Sequence, residues 1–141
     1  MKVREQISII PLNDIVGLHP RVIELNNTHT QQPYLSFEED DFSPDTVQSI
    51  LSLRPIIVRK AKLKFVCIGN VQSYLLAKKC LPSKCKILVC MNKGRFIPEV
   101  DQLYWAEHAL LHLINDLGPN KAERIMSVWK EFRACENPWK K

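Results

Sequence analysis

The chain has 141 residues, 45% of them hydrophobic, which suits one domain with its own core and a small helical appendage. No apolar run approaches the roughly 18 residues that cross a bilayer, and the opening MKVREQISII is too short and polar for a signal peptide, so a cytoplasmic protein without membrane contact is expected. The net charge of +5 is concentrated in residues 54–95, which carry eleven basic and no acidic side chains, against three and eight in residues 1–53 and six and seven in residues 96–141.

Residues 7–10 read as a short strand that Pro11 ends. LNDIVGLHPR, punctuated by Gly17 and Pro20, reads as one turn of helix or an irregular loop. Residues 26–45 are polar, with acids at 38–41, and are expected to form a mobile acidic loop. A helix is expected over 43–53, with Ser43 as its cap, Pro44 at the first helical position, Asp45 at the positive end and Val47, Ile50 and Leu51 as the buried stripe. IIVRK (56–60) and AKLKFVCI then read as an antiparallel hairpin. Alternation in the second strand puts Leu63, Phe65 and Cys67 on one side and Val66 and Ile68 on the other, with Lys62 and Lys64 in solvent. Asn70 is expected to cap a helix through Cys80 whose inner face is Val71, Tyr74, Leu75 and Ala77. CKILVCM (85–91) returns as a strand.

The last third is helical. One helix presents Leu103, Ala106, Leu110, Leu113, Ile114 and Leu117, Gly118 closes it, and a second after Pro119 presents Ala122, Ile125, Met126, Trp129 and Phe132. The expected architecture is therefore an α+β fold, a small mixed sheet with packed helices, followed by a C-terminal helical hairpin. The α/β core would span 1–95, including the acidic loop 26–45, and the helical extension 96–141 would pack on the core or on a partner. A helix-turn-helix reading of the hairpin is disfavoured, because the basic residues of the second helix, Lys121, Arg124, Lys130 and Arg133, are offset by Glu123 and Glu131, and a recognition helix would show more Arg, Asn, Gln, Ser or Thr at its start.

Over residues 7–16 and 46–90 the chain resembles the ParB-like N-terminal, sulfiredoxin-like family. IIPLNDI, VQSILSLRPIIVR, FVCIGNVQSYLLAKKC and CKILVCM follow that family's order of strand, helix, strand, glycine-ended strand, helix and strand. The resemblance implies the fold, and a site after the glycine where the family carries G-E-R-R or G-x-x-R, its arginine meeting phosphate. Sulfiredoxins instead carry a catalytic cysteine directly after the glycine. Here Gly69 is followed by Asn70, Val71, Gln72 and Ser73, with neither arginine nor cysteine. Asn and Gln donate hydrogen bonds but do not neutralise a triphosphate as the arginine fork does. Residues 69–73 are thus left as a backbone anion-binding turn at most, with Arg54, Arg59 or Arg95 as candidate outside cations, or as a plain strand-to-helix turn.

Other chemistry is thin. Five cysteines, Cys67, Cys80, Cys85, Cys90 and Cys135, form no CxxC pair and read as reduced, packed thiols. His108 and His112 are four apart on one helix but lack a third ligand nearby. No catalytic residues, metal or cofactor are expected. The leading functional reading is a non-catalytic DNA-associated or regulatory protein, of the kind found on plasmids, phages or integrated elements. It would hold phosphates with Arg54, Arg59, Lys60, Lys62, Lys64, Lys78, Lys79, Lys84 and Lys86. A protein-interaction module or homodimer using the acidic loop and residues 96–134 is the second reading. A nuclease or nucleotide-binding enzyme of the ParB-like family is the third.

Overall fold

The computed structural model describes residues 5–29, 42–110 and 130–131. Among them the elements run β1 (Glu5–Pro11), β2 (Ile15–Leu18), α1 (Pro20–His29), α2 (Pro44–Leu53), β3 (Ile56–Ala61), β4 (Lys64–Gly69), α3 (Val71–Cys80), β5 (Lys86–Asn92) and α4 (Ile97–Trp105). A 3-10 turn occupies Leu12–Asp14 and a π-helical turn Ala106–Leu110. The strands form one mixed sheet in the order β1-β5-β3-β4-β2. The α+β class with a small mixed sheet and packed helices is therefore the one expected. No helix of the described residues is long and apolar enough to cross a membrane.

The chain divides into two compact units, Met1–His19 with Tyr34–Arg95, and Pro20–Pro33 with Phe96–Lys141. The first holds the sheet, α2 and α3. β1 and β5 are antiparallel, β5 and β3 parallel, β3 and β4 antiparallel, and β4 and β2 parallel. The pairings Ile56↔Val89 and Val58↔Cys67 place those residues on one face of the sheet, with Ile87. All five are buried, together with Val47 and Leu51 of α2 and Val71, Tyr74, Leu76 and Ala77 of α3, helices that pack on each other and on β3, β4 and β5. Each valine, leucine or isoleucine among them contributes about 1.5–3 kcal/mol by leaving water.

Local chemistry sets the ends of these elements. Ser43 Oγ accepts from the Thr46 amide at 3.2 Å, and Pro44 opens α2, as the capping pattern predicts. Ile50 and Leu75 are half-buried rather than part of the fully buried stripe. Leu63 departs from expectation: it is 90% exposed, because it sits with Lys62 in the tight β3–β4 turn, where Lys62 has φ 59°. The alternation that joined it to Phe65 and Cys67 begins only at Lys64.

In the second unit α1 packs with α4. Arg21 makes a bidentate bond to Asp101, Nε to Oδ1 at 2.6 Å and Nη2 to Oδ2 at 2.7 Å, and Tyr104 Oη donates to the Leu25 carbonyl at 3.5 Å. Two elements were not expected, β2 of the first unit and α1 of the second. Of LNDIVGLHPR, read as one turn of helix or an irregular loop, Leu12–Asp14 forms a single 3-10 turn, while β2 and the start of α1 take most of the remainder; residues 26–29 of the expected acidic loop are the last turn of α1. The rest of that loop up to residue 41, and the hairpin beyond Leu110 apart from residues 130–131, lie outside the described residues.

Candidate nucleic-acid interface

Sheet topology decides where the nine basic candidates go. Because Ile56 pairs with Val89 in a parallel register, the start of β3 lies at the same end of the sheet as the start of β5. Arg54, at the C-cap of α2, therefore shares that end with Lys84 and Lys86. Lys60, Lys62 and Lys64 belong to the β3–β4 turn at the opposite end, where β5 runs out into Lys93 and Arg95. A six-residue strand separates the two ends by about 20 Å, the rise of roughly six base pairs. Lys78 and Lys79 form the last turn of α3 and line an open cleft of about 660 Å³ with Phe42, Ser43, Pro44 and Leu81. The sheet thus distributes the candidates over both its ends rather than gathering them in one groove.

Their exposure differs as well. Arg54, Lys60, Lys62, Lys64, Lys78, Lys79, Lys84 and Lys86 are exposed, and so are Lys93 and Arg95. Lys64 bonds Asp14 Oδ1 at 2.9 Å, and Lys78 lies 6.0 Å from the Tyr74 ring centroid. Arg59 stands apart, only 7% exposed. Its Nε donates to Asn92 Oδ1 at 3.1 Å, and the same oxygen accepts from the Gly94 amide at 2.9 Å. Arg59 thereby fixes the chain leaving β5, just where Lys93 and Arg95 emerge. Burial first, and then the charge of Arg59, hold the His19 imidazole below its ordinary pKa. Burial likewise pushes the Tyr74 phenol up.

The turn after β4 is built differently from its sequence reading. Gly69 is not needed for a left-handed backbone; Asn70 takes that conformation, with φ 50° and ψ 49°. Gly69 is needed for close approach, since a Cβ there would meet Ile57 Cδ1 at 3.0 Å and its Cβ at 3.3 Å. Asn70 does not cap α3 with its side chain. Its Nδ2 donates instead to the Pro55 carbonyl at 2.7 Å, which fastens the start of α3 to the segment leading into β3 and brings the backbone at Arg54 close to the turn. Val71 and Ser73 are buried, and Gln72 is exposed. Within 69–73 the turn presents no cationic side chain to an anion.

No group of three or more His, Cys, Asp or Glu among the described residues could hold a metal ion. Cys67 is buried and donates to the Gly69 carbonyl at 3.3 Å; Cys80, Cys85 and Cys90 are half-buried and form no disulfide among the described residues. His108 lies against the Tyr104 ring, centroids 4.3 Å apart, while His112 and Cys135 fall outside the described residues. The sequence reading missed the Asn92 partner of Arg59, the place of His19 beside it, and the grouping of Lys93 and Arg95 with the β3–β4 turn. The first and third depend on β5 lying next to β3 in parallel, and the second on β2 lying next to β4, pairings that nothing local announces. No protein-family model matches the chain, and neither a curated protein nor a solved structure matches it.

Proposed function

We propose that this chain is a non-catalytic DNA-associated protein, built on a ParB-like frame, that holds the phosphate backbone with lysine and arginine side chains at both ends of its sheet. One observation carries the reading: of eleven basic residues in 54–95, ten are exposed, and that span contains no acid. A surface of that kind attracts any polyanion and gives affinity without base readout. The order of elements around Gly69 supports the ParB-like frame. The lack of a cation in residues 69–73 supports a role that does not turn over a nucleotide.

The two sheet ends define the test. Lys60→Glu/Lys62→Glu alters the end at the β3–β4 turn, and Lys84→Glu/Lys86→Glu alters the other. Electrophoretic retardation of a short duplex at low salt is expected to weaken at least tenfold with either pair, because each swap replaces two phosphate-neutralising charges with repulsive ones. Unchanged retardation with both pairs would overturn the proposal.

A further inference from the structure

The outer edge of β1 is an interaction surface of a different kind. Sheet order leaves β1 at an edge, and no described residue pairs with its outer side. The direction of its main-chain groups follows from one bond. The Leu12 amide donates to the Cys85 carbonyl at 2.8 Å, and this pair continues the register that runs from Glu5↔Asn92 to Pro11↔Lys86. Hydrogen-bonded pairs alternate along an antiparallel ladder. Gln6, Ser8 and Ile10 therefore aim their amides and carbonyls at β5, while Glu5, Ile7, Ile9 and Pro11 aim theirs outward. Pro11, which has no N–H to give the ladder, lies on the outward set, as proline in an edge strand should.

This edge carries little of what normally keeps an edge strand single. Residues 6–11 hold no charge, and Ile7 and Ile9 are 61% and 65% exposed. Both project from the sheet face opposite Ile56, Val58 and Val89, beside half-buried Leu88 and Cys90. Lysines, inward charges and bulges are the usual protections of such a strand, and within Gln6–Pro11 only the proline serves.

We propose that β1 pairs with β1 of a second copy of this chain, antiparallel about a two-fold axis at Ser8. The outward set fits itself in that register. Ile7 of each copy faces Ile9 of the other and exchanges both main-chain bonds with it. Glu5 faces Pro11, so its amide meets a carbonyl and no like charges oppose one another. The four isoleucines form one apolar seam across the joined sheets. No other registration of the outward residues matches isoleucine with isoleucine at every such position while keeping Glu5 away from it. A seam one strand long is at the small end of specific interfaces, so the dimer is weak and concentration-dependent. The inference is independent of the polyanion reading.

Sedimentation velocity of the full chain, from low micromolar to hundreds of micromolar, tests it. The expected result is a monomer–dimer equilibrium that Ile9→Lys shifts at least tenfold towards monomer, with an unchanged circular dichroism spectrum because Ile9 is exposed. The axis makes a second test. Ser8 faces Ser8 of the other copy as a non-hydrogen-bonded pair, with Cα atoms about 4.5 Å apart, within disulfide reach. Ser8→Cys is therefore expected to give a covalent dimer on mild oxidation beyond any formed by the wild type. A monomer at every concentration, a dimer indifferent to Ile9→Lys, or a Ser8→Cys chain that links no more than wild type would each overturn it.

Discussion

Replacing Asn70 separates what its backbone does from what its side chain does. Asn70 holds a left-handed conformation at φ 50°, and its amide closes a 2.7 Å bond to the half-buried Pro55. Alanine loses both. The left-handed region costs an ordinary L-residue about 1–2 kcal/mol, and a hydrogen bond whose acceptor is left behind costs about 1–2 kcal/mol more. Asn70 itself pays part of the backbone cost, so Asn70→Ala should destabilise by about 2–3 kcal/mol. Glycine takes the backbone without strain, so Asn70→Gly should cost only about 1 kcal/mol. Urea unfolding followed by circular dichroism measures both, provided the slope with denaturant is unchanged. Equal costs for the two variants, or an Asn70→Ala effect below about 0.5 kcal/mol, would refute this account of the turn. Asn70→Gly should also leave DNA retardation unchanged, because its amide is committed to Pro55.

Three further outcomes follow from the same geometry. Gly69→Ala sets a methyl against Ile57 and should cost about 1–3 kcal/mol; Ile57→Val, which removes the Cδ1 nearest that methyl, should recover part of the loss in a double-mutant cycle. Arg21→Ala should destabilise the α1–α4 pair by about 1.5–3 kcal/mol, as loss of charge-assisted bonds does, and Arg21→Lys should not restore it, since a lysine does not reproduce the bidentate fork on Asp101. The folded His19 pKa lies below the ordinary 6.5, so the unfolded chain binds the extra proton first as pH falls. The His19 contribution is then complete above about pH 6.5 and is lost as pH drops below it. His19→Gln should flatten that part of the urea-midpoint profile against pH, and an unaltered profile would contradict the assignment.

The sequence made some parts of this molecule legible and hid others for physical reasons. Ser43 and Pro44 announce α2 because a cap and an N1 proline act through bonds within a few residues. β3 and β4 are legible because β-branched runs flank a tight turn. Helix α1 was hidden: Asn26, Asn27 and Thr28 are weak helix formers, and among residues 20–28 only Val22 and Leu25 are buried. It is held by contacts to Asp101 and Tyr104, far along the chain. Strand β2 was hidden by its length of four residues and by the bulge between Ile15 and Gly17. The chemistry of the Asn70 turn was half legible. The residue type fits a helix start, but its side chain serves Pro55, a partner set by tertiary packing. Likewise, composition revealed how many basic residues the middle of the chain holds, while the parallel β3–β5 pairing sets Lys84 and Lys86 at the same end as Arg54, and Lys93 and Arg95 at the end of the β3–β4 turn.

The central claim is that exposed cations at both ends of the sheet hold a phosphate backbone, and the salt dependence of duplex binding tests it most directly. Fluorescence anisotropy of a labelled duplex against the full chain, repeated from low to near-physiological potassium chloride, gives the slope of log affinity against log salt. With several phosphates neutralised the slope should be about −3 or steeper, and it should become shallower by about two when Lys60 and Lys62 are both changed to alanine. No binding at low salt, or binding whose strength hardly changes with salt, would contradict the account.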